Sequence, residues 1–404
     1  MADRRFSAGV SRRHFFTGSA ATLAAAGVAG CAPANSAVSA DGFGSSVEAF
    51  HGPHQAGVAT APQAHAQFIA LDLVPQPDRT ARDTLGAILR LWTADAQRLT
   101  QGRPALADTE PELAERPARL TVTVGLGSTV FDRAGLGHRK PASAAELPAF
   151  RTDALDPRWC GGDLLLQLCA DDPVAIAHAG RVMTKNVRSM TRQRWRQRGF
   201  RNAHGAGPAG ASMRNLMGQV DGTVNLRSAD EFDRLVWDDG ADQQWFAGGT
   251  VLVLRRIHAI MDTWDELSRD AKELVVGRRL ANGAPLTGDN ETDEPDFEAK
   301  VGGIPVIAPN SHIALARHRH DGERFLRRPY NYDDPPAPGQ TTDSGLLFAT
   351  YQKNPATQFV PVQERLAAAD GLNPWITTIG SATFAILPGV EPGQTLGEAL
   401  LAGP

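Results

Sequence analysis

The order of apolar patterns is the strongest constraint on how this chain can fold, because the same succession of strands and helices runs through it twice. Gln67 to Val74 alternates β-prone and small residues, which predicts a strand. Arg79 to Leu99 has helical spacing, with Ala81, Leu85, Ile88, Leu89, Leu91 and Trp92 on one face. Arg119 to Val124 and Asp163 to Cys169 read as strands. Asp172-Pro173 opens a helix reaching about Ser189, since proline suits a first helical turn. A strand near Trp195 to Phe200 closes the first set. In the second half, Gly249 to Ile257, Gly345 to Tyr351 and Ser381 to Leu387 read as strands. Thr263 to Val275, capped by Asp262 or Thr263, and Phe359 to Ala368 read as helices. Two passes of β-α-β-β-α-β predict an α+β fold of two ferredoxin-like modules, a duplication carried by element order rather than by visible identity. Residues 1–40 read as a leader with its linker, 41–212 as the first module and 213–404 as the second. Asn282 to Asp333 is long, irregular and partly acidic, and loops of that size tend to carry function.

A chain of 404 residues has ample material for such a core. Its 42% hydrophobic and 21% charged residues are ordinary for a soluble globular protein. The net charge of −4 gives no reason to expect nucleic acid or an anionic membrane as partner. Ser11-Arg12-Arg13-His14-Phe15-Phe16 is a twin-arginine export pattern. The small-residue run after it, Thr17 to Gly30, is too short and too weakly apolar to span a bilayer. Val28-Ala29-Gly30-Cys31 fits a bacterial lipobox with Cys31 as the lipidated residue; cleavage after Ala34 or Ala40, with release, is the competing reading. The expected location is periplasmic, extracellular or lipid-anchored at the cell surface. Cys160 and Cys169 can pair in an oxidising compartment or stay as free thiols, Cys169 within an apolar run.

The chemistry gathers in three places. Gly218-Gln219-Val220-Asp221-Gly222 sets an acid between glycines, which take backbone conformations closed to other residues and let a planar ligand approach. Further on, Ser311-His312-Ile313-Ala314-Leu315-Ala316 sets one histidine in an apolar run. Phe325-Leu326-Arg327-Arg328-Pro329-Tyr330-Asn331-Tyr332 then sets two arginines in an apolar-aromatic run. Alone, an Asp-Gly is a turn and a single histidine is a core residue. In this order the three resemble the dye-decolourising (Dyp-type) haem peroxidase family, and within it the secreted branch also described as deferrochelatases. The likeness also takes in Phe50-His51-Gly52-Pro53-His54-Gln55-Ala56-Gly57-Val58, Gly125-Leu126-Gly127 and Val276-Gly277-Arg278-Arg279.

The resemblance implies one haem b per chain, held in the C-terminal module. His312 would be the axial iron ligand, its other nitrogen hydrogen-bonded by a carboxylate or carbonyl. His318 and His320 are its rivals, in a basic, polar stretch expected to face solvent. Asp221 matches the family's distal acid, a proton shuttle for peroxide with an acidic pH optimum as its consequence. Arg327 matches the distal cation. Arg328 is expected at a haem propionate or in solvent. Gly222 and Asn225 are expected at the cofactor, Asn225 ordering a distal water or a haem-edge group. Tyr330, Tyr332 and the tryptophans either relay electrons or pack the core. The chain departs from the family pattern at Ala314, where an arginine is common two positions after the histidine, and in the short spacer of fifteen positions from His312 to Arg327. The propionate role would then pass to Arg317 or Arg328. The expected activity is peroxidase, with hydrogen peroxide and a bulky aromatic or phenolic reductant as partners. Alternatives are deferrochelatase, with haem as the substrate, and a non-catalytic haem-binding or iron-uptake accessory protein. A ferredoxin-like chlorite-processing relative ranks third. Homo-oligomerisation and iron-uptake partners stay open.

Overall fold

Strand β1 (His65–Leu73) shows how the layers arise. Successive side chains of a strand point to opposite faces. Here Ala66, Phe68 and Ala70 enter one buried cluster while Ile69, Leu71 and Leu73 enter another, so β1 is covered on both sides. The structure, a computed structural model, describes residues 42–208 and 210–402; the twin-arginine pattern, Cys31 and both cleavage sites fall outside them. Helix α1 (Ala81–Leu99) starts where the Thr80 hydroxyl accepts from Asp83 N–H. It buries Leu85, Ile88, Leu89 and Trp92 as expected, but Leu91 sits on its outer side, 39% exposed. Then follow β2 (Thr121–Gly127), α2 (Ser128–Arg133), β3 (Leu164–Ala170), α3 (Pro173–Asn186) and β4 (Thr191–Phe200). Asp172 caps α3, with Pro173 in its first turn. The four strands lie antiparallel in the order β4-β1-β3-β2, the ferredoxin-like arrangement.

A hairpin of β5 (Met213–Arg214) and β6 (Val220–Asp221) leads to α4 (Ala229–Leu235). The second set is β7 (Thr250–Ala259), α5 (Met261–Asp265), α6 (Arg269–Val276), the hairpin β8 (Lys300–Val301) and β9 (Ile304–Pro305), α7 (His312–Ala316), β10 (Leu326–Arg327), β11 (Tyr330–Asp334), β12 (Asp343–Gln352), α8 (Phe359–Ala369) and β13 (Ile376–Ile386). Its sheet runs β13-β7-β12-β11, the same order as the first. Two expectations need correction. The sixth element of this module, unassigned in the sequence, is β11, short and masked by Pro329 before it and two acids at its end. The helix expected over Thr263 to Val275 is broken in two: neither Asp262 nor Thr263 caps it, and Ser268 caps α6 by accepting from Ala271 N–H.

The two sheets close on each other. β13 pairs with β2, and β11 meets β4 at Asn331 and Phe200, so eight strands form a ring. Phe68, Tyr330, Tyr351 and Phe384 are among the side chains filling its interior, all fully buried. Each such aromatic contributes about 1.5–3 kcal/mol by leaving water. On β12, Leu347, Ala349 and Tyr351 face this interior, while Leu346 and Phe348 face outward and line a cavity. Cys160 and Cys169 are both free thiols. No helix among the described residues is long and apolar enough to cross a membrane.

Helix α4 carries a testable electrostatic feature. Ser228 and Glu231 form a reciprocal capping box at its start. Backbone N–H groups of Arg227 and Ser228, and then the Arg324 guanidinium, hold the Glu231 carboxyl at about 2, against an ordinary 4.5. A depressed carboxylate stabilises the fold above its ordinary pKa and loses that contribution as pH falls through its folded value. Glu231→Gln is therefore expected to lower Tm at neutral pH and to flatten its decline between pH 4.5 and 2. Thermal melts across that range that overlay those of the unsubstituted protein would refute the assignment.

Candidate active site

The β5–β6 hairpin places the acid. Its turn is closed by Gly218 N–H to Asn215 O at 3.0 Å and by Gln219 N–H to Asn215 Oδ1 at 3.0 Å. Gly218 and Gly222 have φ of +92° and +132°, conformations that disfavour any side chain. A Cβ on Gly222 would meet nothing nearer than Ser212 at 3.7 Å, so the glycine is required by its backbone conformation rather than by crowding. Asp221 itself ends a short strand, flanked by the bends, and lines the cavity.

Strand β10 brings Arg327 to that acid. Its Nη1 donates to Asp221 Oδ1 at 3.1 Å and its Nη2 to Val224 O at 3.0 Å. Asn225, expected to order a distal water or a haem-edge group, lines the cavity and is tied to the main chain of Arg327. Its Nδ2 donates to Arg327 O at 2.7 Å, and its Oδ1 accepts from the backbone N–H of Arg327 at 2.9 Å and of Leu226 at 3.0 Å. The oxygen accepts two bonds and the nitrogen donates one, so Asn225 acts as a clamp that fixes the main chain of Arg327. Arg328 departs from expectation. Neighbours on an extended chain point opposite ways, so Arg328 turns into the barrel, 2% exposed, and donates to Thr60 O and Gln63 Oε1. It does not line the cavity and is not available to a propionate there.

His312 comes from the same module, at the first residue of α7. Gly277, the left-handed residue ending α6, lets α7 approach: a Cβ there would lie 2.6 Å from Ile313. His312 Nδ1 lies 2.7 Å from Asp370 Oδ2, and Asp370, its side chain 1% exposed, also accepts from Leu372 N–H at 2.9 Å. Burial opposes a charge on the imidazole, but the Asp370 carboxylate outweighs it and the pKa is raised; Asp221 reinforces that rise and Arg327 opposes it. The pairing fixes the proton on Nδ1 and leaves Nε2 as the lone-pair donor. No hydrogen-bond partner is recorded for Nε2 among the described residues. The side chain is 34% exposed and lines the cavity. Of the rivals, His320 is 67% exposed beside Glu323, as expected. His318 is half-buried and lines the cavity, contrary to expectation; burial first, then Arg324 and Arg317, lowers its pKa.

The cavity that joins these groups holds about 660 Å³. Its walls include Ile257, Val276, Leu346, Phe348, Val362 and Leu366. Among the described residues no cluster of three His, Cys, Asp or Glu side chains could hold a bare metal ion. One imidazole nitrogen backed by a carboxylate, apolar walls and an acid–arginine pair fit a planar macrocycle that carries its own iron. The sequence reading missed Asp370, a lone acid before Gly371 that looks like a helix end. It named Arg278 within a motif but gave it no role at the site; Arg278 lines the cavity while Nη1 donates to Gly283 O at 2.7 Å and Glu291 O at 2.8 Å. Asp370→Asn is expected to weaken haem affinity by roughly 10–100-fold, the usual cost of losing such a supporting carboxylate. A haem titration followed at the Soret band checks this, and affinity equal to that of the unsubstituted protein would remove Asp370 from the site.

Comparison with known proteins gives the same picture. A family model described as Dyp-type peroxidase, N-terminal, matches residues 55–201, and its C-terminal counterpart matches residues 212–391. The chain is 41% identical over 362 residues to the dye-decolorizing peroxidase of Thermobifida fusca, covering 86% of this chain and 84% of that one. It is 34% identical over 373 residues to the deferrochelatase of Shigella boydii, covering 87% and 86%. The crystal structure of a DyP-type peroxidase from Cellulomonas bogoriensis superposes with a TM-score of 0.86 at 51% identity, covering 90% of this chain and all of that one. Matched along both halves, and carrying the acid, arginine and histidine in one cavity, the chain belongs to the Dyp-type peroxidase family.

Proposed function

We propose that this chain binds one haem b in the cavity between α7 and the β5–β6 hairpin, reduces hydrogen peroxide there and oxidises bulky aromatic or phenolic donors. The observation that carries the reading is the meeting of His312–Asp370 with Asp221–Arg327 around one apolar cavity. When bound, haem supplies the redox centre at which the peroxide O–O bond breaks and from which donors are oxidised one electron at a time. His312 Nε2 would hold the iron, and Asp370, by holding the proton on Nδ1, selects the tautomer that presents the Nε2 lone pair. Asp221 would take a proton from one peroxide oxygen and return it to the other, which leaves as water. Arg327 offsets negative charge developing on the oxygens, and the Asn225 clamp keeps it in place. The apolar walls exclude bulk water and strengthen these charges.

Release of iron from haem with the porphyrin intact is the second reading, favoured by the relative named deferrochelatase. Peroxide-dependent loss of absorbance of a bulky aromatic dye tests the first, and porphyrin fluorescence after incubation with haem tests the second. Porphyrin fluorescence without dye turnover would reverse their order. The twin-arginine pattern supports export, with lipidation at Cys31 or release after cleavage as its two endpoints. Mass spectrometry of the mature N-terminus separates them.

A further inference from the structure

Gln219 combines a fixed main chain with an unpaired side chain. It is 7% exposed and lines the cavity. Asn215 holds its backbone from both sides, donating N–H to Gln219 O at 2.9 Å and accepting the Gln219 N–H at Oδ1, 3.0 Å away. Its side-chain Nε2 is buried and has no hydrogen-bond partner among the described residues. Other buried side-chain atoms also lack a partner, but none of them belongs to a residue lining this cavity. An amide nitrogen carries two donors, and burying a donor unpaired is costly. The position of this one is informative. Alternate residues of an extended chain share a face. Gln219 stands two positions before Asp221, and Val220 between them lies against Gly283. The neighbouring polar groups of the wall are engaged: Asp221 with Arg327, Thr223 with Glu291 at 2.8 Å, and Arg278 with two backbone carbonyls.

We infer that the Gln219 amide donates a hydrogen bond to the peroxide that enters beside Asp221 and Arg327, and so holds one of its oxygens. This rests on the haem reading above. A haem brings few polar groups into an apolar cavity: its ionised tails at one edge, and the small ligand it takes on the side of the acid. Gln219 shares the face of Asp221, which points its donor to the second of these. Arg327 already has acceptors for Nη1 and Nη2 in Asp221 and Val224 O, whereas Gln219 Nε2 is uncommitted. An uncharged amide does not exchange its charge state in the working pH range. Gln219 is therefore a positioning residue: it holds the oxygen while Asp221 moves the proton.

The test uses fluoride, a small anion that binds ferric haem and accepts hydrogen bonds but undergoes no redox step. It is titrated into the haem-loaded full chain, unsubstituted and as Gln219→Met and Gln219→Glu, and followed by visible absorption. The first substitution keeps the length and removes both donors; the second keeps the shape and presents a carboxylate. Gln219→Met is expected to weaken fluoride by roughly 2–10-fold, the range for one neutral hydrogen bond, and to slow the reaction with peroxide by a similar factor. Gln219→Glu should weaken fluoride further at neutral pH, since like charges then face each other. Affinity for haem and for its dimethyl ester, each titrated at the Soret band, should be unchanged in Gln219→Met. Fluoride affinity equal to that of the unsubstituted chain in Gln219→Met, or in Gln219→Glu where only that variant loads with haem, would overturn the inference. So would a loss of affinity for haem that the ester does not share, which would assign the amide to an ionised tail. An unsubstituted chain that binds no haem would overturn the haem reading itself, a result distinct from these.

Discussion

Replacing Asp221 with Asn is expected to slow the peroxide-driven change in the haem spectrum by roughly 10²–10⁴-fold, the range for losing a positioned acid–base group. An amide cannot take up and return the peroxide proton. Haem affinity should be nearly unchanged, because Asp221 is not the iron ligand and Asn has nearly the same size and shape. The position of Arg327 should survive as well, since Asn225 grips its main chain at 2.7 and 2.9 Å independently of the acid. Stopped-flow absorbance with haem-loaded protein reads both quantities. A substituted protein reacting at the unsubstituted rate would remove Asp221 from the proton path.

His312→Ala has the complementary outcome. Haem retention should fall further than in Asp370→Asn, because the iron-binding nitrogen itself is removed rather than its support. The residual complex should show a displaced Soret band. Tm of the haem-free chain should fall as well, since the Asp370 carboxyl, 1% exposed, is left without its imidazole partner. Full haem occupancy with an unchanged spectrum would exclude His312 as ligand and turn attention to His318, which lines the same cavity.

Local patterns made much of this fold readable. α1 and α3 each bury a face whose period is visible over the element itself, β1 and β3 are short apolar runs buried on both sides, and Asp172-Pro173 marks a helix start by its own chemistry. Leu91 illustrates the limit: a residue at the edge of an apolar stripe is settled by what packs beside it. β11 escaped because five residues carry little pattern. The closure of two sheets into a ring depends on pairs such as Asn331 with Phe200, far apart in sequence, and no local signal reports it. The site divides in the same way. Asp221 and Arg327 stand in compact motifs, and the structure brings them to 3.1 Å. Asp370 is 58 positions from His312 and has no motif of its own. Arg328 was readable in part, since adjacent residues on a strand cannot both face one cavity. What could not be foreseen was a polar barrel interior, with Thr60 and Gln63 ready to receive its guanidinium.

The central claim is that His312, Asp221 and Arg327 make this cavity a peroxide-reducing haem site. The most direct measurement is the absorption spectrum of the haem-loaded protein before and after one equivalent of hydrogen peroxide. The account predicts a Soret band of histidine-ligated ferric haem that changes rapidly on adding peroxide and returns when an aromatic donor is supplied. A band that stays inert, or bleaches slowly without recovery, would contradict it.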